Sequence, residues 1–217
     1  MQSPKYSRTY LILNEVLNAC THGIGLGLSI AGLVILLIKG AHAHSAMHVV
    51  SYALYGAMMI LLFLFSTLFH SLIFTKAKKV FQVFDHASIY LLIAGSYTPY
   101  CLLSIGGWRG WTLFSVIWLM AIVGIVYKSL TLHKQQTVSK VSTLIYIVMG
   151  WLCVFAAPQL IHSLGTTGTL LLFFGGVSYT LGAFFYSLKH VRYMHVIWHL
   201  FVMTGAGFMY FSILFFT

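Results

Sequence analysis

Three histidines and one carboxylate in this sequence have the residue types and spacing of a metal-dependent hydrolytic site. His195 and His199 are four residues apart, so a helix would present both imidazoles to one metal from a single face. With His70 they supply three neutral nitrogen donors, and three imidazoles with one open position are the ligand set of a catalytic zinc ion. Asp85 would hydrogen-bond the metal water and act as general base. The sequence thus predicts a Zn²⁺ site.

Ser66 extends this candidate site, because it stands four residues before His70 on the same helical face. We expect its hydroxyl to orient the water or to hold the oxyanion that develops on a carbonyl. A histidine in a membrane helix also serves as a packing or interhelical hydrogen-bonding group, and that alternative stays open for each imidazole at this point.

A second group of polar residues lies near the N-terminus. Glu15, Asn18 and His22 follow an i, i+3, i+7 spacing that gives one continuous polar stripe on a helix. The stripe would be a structural hydrogen-bond network, a cap on the mouth of the site, a support behind the ligands or a route for protons. We favour the structural network.

The composition defines where these groups must reside. Only 6% of the 217 residues are charged, the mean hydropathy is +0.94, and the acids are Glu15 and Asp85 alone. A soluble domain averages about 25% charged residues, so soluble, disordered and disulfide-scaffold classes are excluded and a bilayer is indicated. The basic residues are dispersed between apolar runs, which excludes a nucleic-acid-binding surface despite the net charge of +10.

Long uncharged runs predict the membrane-spanning elements, since a crossing helix needs about 20 apolar residues. The runs are apolar on all faces, which favours helices over a barrel. Pro158 and residues 162–168 mark a turn between two of them, and Pro99 should kink or end another. We predict one all-α domain, 1–217, a seven-transmembrane-helix bundle with helices at about 19–38, 50–73, 84–104, 110–127, 141–158, 169–188 and 194–215.

Small residues at four-residue spacing are candidates for close helix packing. The pairs are Gly23/Gly27 and Ser178/Gly182. The alternative is that small residues are simply common in membrane helices.

Loop charges predict the orientation of the bundle. Ten of the twelve basic residues fall in the N-terminal tail and in alternate loops that share its side, and the other two, Lys39 and Arg109, fall opposite. The ten are Lys5, Arg8, Lys76, Lys78, Lys79, Lys128, Lys134, Lys140, Lys189 and Arg192. The positive-inside rule then places the N-terminus in the cytoplasm and the C-terminus outside. In this topology both acids and the candidate ligands converge at the cytoplasmic ends of their helices.

Five motifs occur in order over nearly the whole chain: Glu15-x-x-Asn18-x-x-Thr21-His22, Ser66-x-x-x-His70, Asp85-His86, Gly95-Ser96-Tyr97-Thr98-Pro99 and His195-x-x-Trp198-His199. With them the sequence resembles bacterial members of the hemolysin III family, which is similar to progestin and adiponectin receptors and, more distantly, to alkaline ceramidases. The resemblance implies seven helices, zinc on the matching histidines near the cytoplasmic leaflet, and Asp85 and Ser66 beside the zinc water. It also implies hydrolysis of amide or ester bonds in lipids.

Three functions are compatible with this sequence. The first is a zinc hydrolase of a lipid amide or ester, whose acyl chains enter from the bacterial cytoplasmic membrane. The second is a sensor that binds membrane lipid around a structural zinc. The third, a pore or cytolysin, ranks last because polar residues thin out toward the outside instead of lining a full path.

Overall fold

The computed structural model describes residues 7–131, 140–188 and 191–217, and all regular structure in these ranges is helical. The α-helices are α1 (Arg8–His42), α2 (Ala46–Ser71), α3 (Lys78–Pro99), α4 (Gly107–Thr131), α5 (Lys140–Trp151), α6 (Ala157–Ser187) and α7 (Met194–Phe216). A π-helical turn, Tyr100–Ile105, follows α3, and a 3₁₀ segment, Leu152–Ala156, joins α5 to α6. Lys5, Lys134 and Lys189, which entered the orientation argument, lie outside the described residues.

The chain is a multi-span integral membrane protein, as its composition predicts. In the described ranges, six helical segments are long and apolar enough to cross a bilayer. Five correspond to α1, α2, α3 with its π-helical turn, α4 and α7; the sixth runs over Val141–Ser187. Large apolar side chains face outward on these segments, for example Leu28 at 65% exposure and Phe184 at 59%. Lipid covers such side chains without the cost that water would impose.

The predicted start of the first helix, at about residue 19, was wrong. α1 begins at Arg8, where the Ser7 hydroxyl accepts a hydrogen bond from the backbone N–H of Tyr10 and caps the helix. Glu15 and Asn18 therefore lie inside α1, not ahead of it. Counting apolar residues missed this first part because polar residues such as Asn14, Glu15 and Asn18 interrupt the apolar run there.

Proline and glycine set the ends of the middle helices. α3 ends at Pro99, where a kink or an end was predicted, and the chain continues from there as the π-helical turn. The predicted fifth and sixth helices lie within one segment, Val141–Ser187, in which α5 ends at Trp151 and Pro158 stands in the first turn of α6 instead of ending a helix. The break falls at Gly165, inside the predicted turn 162–168, where φ is 62° and ψ is −175°. Glycine is suited to this left-handed φ because it has no Cβ.

One of the two predicted small-residue pairs lies at a close helix contact. A Cβ added to Gly182 of α6 would stand 2.8 Å from Cβ of Phe201 on α7, and the Ser178 hydroxyl donates to the Phe201 carbonyl over 2.9 Å. The other pair does not lie at such a contact: among the described residues of other helices, an added Cβ at Gly27 meets no atom within 4 Å, and one at Gly23 meets only a side-chain methyl at 3.8 Å. Four-residue spacing alone does not tell which face of a helix meets a neighbour.

Candidate metal centre

Three imidazoles from two helices form a buried cluster. One ring nitrogen from each of His70, His195 and His199 lies within 4.8 Å of the other two. The ring centroids are 5.0 Å apart for His70 with either partner and 4.7 Å apart for His195 and His199. The i, i+4 spacing on α7 places its two imidazoles on one face, and the end of α2 supplies the third. The residues predicted as ligands are therefore brought together.

His70 is oriented by a carboxylate on α1. Its Nδ1 lies 2.6 Å from Oε2 of Glu15, and the His70 side chain is 3% exposed. An ionised carboxylate only accepts hydrogen bonds, so Nδ1 carries the proton. Nε2 of His70 is buried and has no hydrogen-bond partner among the described residues. A histidine whose one nitrogen donates to a carboxylate while the other is free is the usual arrangement of a metal ligand.

His199 is held in the same way by α1. Its Nδ1 lies 3.2 Å from the backbone oxygen of Asn18 and 3.3 Å from the Thr21 hydroxyl. The Thr21 hydroxyl itself donates to the carbonyls of Leu17 and Asn18. The carbonyl of Asn18 accepts the Nδ1 proton, which leaves Nε2 of His199 available to a metal.

His22, the third residue of the polar stripe, packs directly on a candidate ligand. Its ring lies parallel to that of His199, with centroids 3.6 Å apart and planes 9° apart, and Phe63 contacts it edge-on at 5.1 Å. All three stripe residues thus face the cluster, Glu15 and His22 through their side chains and Asn18 through its backbone.

The cluster borders a deep cavity between α3, α5, α6 and α7, with an empty volume of about 1150 Å³ including its open part. Its polar lining residues are His22, Ser66, Asp85, His86, Ser96, Tyr97, Thr143, Tyr146, Tyr179, Thr180, Tyr186, His195 and His199. Asp85 and Ser66 therefore line the same cavity as two of the candidate ligands, His195 and His199. Oδ2 of Asp85 lies 4.0 Å from Nε2 of His86, which belongs to the cavity but not to the histidine cluster.

Most of the cavity surface is apolar, and the cavity extends away from the cluster along α3, from Asp85 to Tyr97. A second, smaller space shares Ser96, Tyr97, Gly150 and Met209 with it and reaches Ile105 at the end of the π-helical turn. A long, mostly apolar space with candidate metal ligands at one end has the form of a small-molecule binding site.

The residues present fit a metal ion. Three imidazoles converge, the Nε2 of His70 has no other use, and the Nδ1 atoms of two ligands are engaged by α1. Sequence reasoning missed the bonds from Glu15 and Thr21, because the relative rotation of two helices cannot be read from their periodicities. The predicted polar stripe already placed Glu15 on one helix face with Asn18 and His22, whereas Thr21, next to His22, was not part of that stripe.

Known proteins are similar in sequence to this chain over most of its length. The chain matches the Haemolysin-III related family over residues 10–210. It is 45% identical to Hemolysin-3 of Bacillus cereus over 96% of this chain and 94% of that protein. It is 43% identical to a Hemolysin-3 homolog of Bacillus subtilis (strain 168), over 95% and 96%. It is also 34% identical to monocyte to macrophage differentiation factor of Homo sapiens, over 74% of this chain and 67% of the human protein.

Proposed function

The chain belongs to the Haemolysin-III related family, and from this premise we propose that it is a membrane-embedded zinc hydrolase acting on a lipid amide or ester. The observation that carries the proposal is the cluster of His70, His195 and His199 beside a cavity that also contains Asp85. Three imidazoles with a nearby carboxylate are the groups that metal-assisted hydrolysis requires.

The three imidazoles, the two cavity residues Asp85 and Ser66, and Glu15 each have a role in this proposal. Zinc bound by the three imidazoles would supply Lewis acidity, which polarises a carbonyl and makes water a better nucleophile. Asp85 accepts the proton of the attacking water, and the Ser66 hydroxyl donates to the oxygen on which negative charge develops. Glu15 keeps the Nδ1 proton of His70 in place, so that Nε2 remains a lone-pair donor.

The acyl chain of the substrate would occupy the apolar part of the cavity. Ile89, Ile93 and Val202 line it between the histidines and the space around Met209. Binding energy from this remote part of the substrate positions the scissile bond near the polar end.

We further propose seven crossings with the N-terminus in the cytoplasm of a bacterial cell. The contacts between α1 and α7 show that the two helices run parallel to each other. His199 meets Asn18 early in both helices, and Nζ of Lys39 donates over 2.8 Å to the carbonyl of Leu214 late in both. Parallel first and last helices need an odd number of crossings, and we therefore infer that Val141–Ser187 crosses twice.

The length of that segment supports the same count. It has 47 residues, which at about 1.5 Å per residue is roughly twice the thickness of a hydrocarbon core. Gly165 supplies the non-helical position between the two crossings.

Turnover by paired variants tests the hydrolase proposal. Purified protein is given a long-chain lipid amide, and the released fatty acid is measured along with bound zinc. We expect Asp85→Asn to keep its zinc and to lose activity by at least a hundredfold, because the proton acceptor is gone. Ser66→Ala should lose activity about tenfold to a hundredfold. A purified, zinc-loaded protein that hydrolyses neither amides nor esters, and an Asp85→Asn variant with an unchanged cellular effect, would instead support the lipid-sensor function.

A further inference from the structure

His22 is a buried polar side chain whose hydrogen-bonding capacity is unused. It is 3% exposed, and neither Nδ1 nor Nε2 has a hydrogen-bond partner among the described residues. Buried polar groups are nearly always paired, so an orphaned imidazole in a well-packed helix needs an explanation. His22 also lines the cavity, which is where the missing partner can be accommodated.

The ring is held in place without any hydrogen bond. Stacking on His199 at 3.6 Å fixes one face, and the edge-on contact with Phe63 restricts rotation. His22 is not one of the three residues whose nitrogens converge in the cluster. It is therefore oriented beside the candidate metal centre, with its ring at the cavity wall, and has no ligand role there.

We propose that His22 binds the polar group of the lipid that occupies the cavity and selects ligands that offer a hydrogen-bond donor. This inference rests on the proposed function for the location of the ligand. A neutral imidazole has one N–H donor and one lone-pair acceptor. The N–H of an amide pairs with the lone pair, whereas an ester has no donor and leaves a buried acceptor unsatisfied. His22 is thus a specificity-determining residue for amide over ester.

Equilibrium binding of two matched lipids tests the proposal. The probes are the N-methyl amide and the methyl ester of the same long-chain fatty acid, which differ only by NH and O, so the amide N–H is the one hydrogen-bond donor in the pair. Native mass spectrometry of the full chain in detergent counts intact lipid bound per protein, and elemental analysis gives the zinc content of each sample. His22→Phe retains a flat ring for stacking, His22→Gln retains a donor and an acceptor, and Ser29→Ala is the control.

Ser29 is a suitable control because it is buried on the same helix and its hydroxyl already donates a hydrogen bond to the Leu26 carbonyl. We expect the wild-type chain and Ser29→Ala to bind the amide about tenfold more tightly than the ester. His22→Phe should bind both lipids equally and keep its zinc, and His22→Gln should recover part of the preference.

Two results would overturn the inference: equal binding of both lipids by the wild-type chain, or an unchanged preference in His22→Phe. Loss of zinc from His22→Phe would also contradict it, since His22 would then support the metal and not the ligand. The two proposals can be told apart, because a wild-type chain that prefers the amide but never cleaves it would contradict the proposed hydrolysis and leave the role of His22 supported.

Discussion

At the residue scale, the side chain of Glu15 determines how the candidate ligands are presented. A carboxylate within a membrane-spanning helix is costly unless it is paired. Glu15 meets this requirement with a 2.6 Å bond to Nδ1 of His70 and a 3.3 Å contact from the side-chain amide of Asn14. The carboxylate thus connects the first helix to a ligand 55 positions further along the chain.

We predict that changes at Glu15 weaken metal binding without abolishing the fold. Glu15→Gln should lower zinc affinity about tenfold and Glu15→Ala up to about a hundredfold, because the orienting acceptor is weakened and then removed. Competition with a fluorescent chelator measures the affinity, and Ser29→Ala on the same helix should match the wild-type value. Zinc affinity in Glu15→Ala equal to that of the wild-type chain would show that the bond does not support a metal ligand.

Residue types and predicted depth in the membrane were enough to predict that the three candidate ligands meet. His70, His195 and His199 converge as expected, because helical spacing and topology constrain both their face and their height. The bond from Glu15 could not be predicted in this way. It depends on how far α1 is rotated about its axis against α2, and that rotation is fixed by packing around residues such as Gly25, not by spacing in the sequence.

At the scale of helices, the close contact between α6 and α7 depends on Gly182, which has no side chain to separate them. We predict that Gly182→Ala lowers the free energy of unfolding by about 1–3 kcal/mol, because the new Cβ would stand 2.8 Å from Cβ of Phe201 and 2.9 Å from the Trp198 ring. Gly207→Ala on α7 is the matched control, since its added Cβ meets no atom of another described helix within 4 Å. Thermal unfolding in detergent compares the two.

The control should be neutral or slightly stabilising, because alanine is the better helix former. Equal melting temperatures for the two variants would mean that α6 and α7 are not packed as closely as described here. The outcome also bears on the site, because α7 carries two of the three candidate ligands.

Helix boundaries show what hydropathy captures and what it omits. It located the apolar centre of every spanning segment, and Pro99 correctly marked the end of α3. It placed the start of α1 too late because a stripe of polar residues interrupts the apolar count there. It also stopped the fifth helix at Pro158, although proline is tolerated in the first turn of a helix and α6 has it at that position.

At the scale of the whole molecule, the proposed topology places the ends of the chain on opposite sides of the membrane. Fusions of a reporter that is active only in the cytoplasm should be active at the N-terminus and inactive at the C-terminus. A fusion in the loop between α2 and α3, near Lys78, should behave like the N-terminal one. Equal activity at both ends would require an even number of crossings and would contradict the parallel arrangement of α1 and α7.

The most direct test of the account is the zinc content of the purified chain. Elemental analysis should find one zinc ion per wild-type chain, and almost none in His70→Ala or His199→Ala, because each removes one of three donors. His86→Ala should retain one zinc per chain, since this cavity histidine stands outside the cluster. A wild-type chain without bound zinc, or a His199→Ala variant that holds as much as the wild type, would contradict the proposed metal centre.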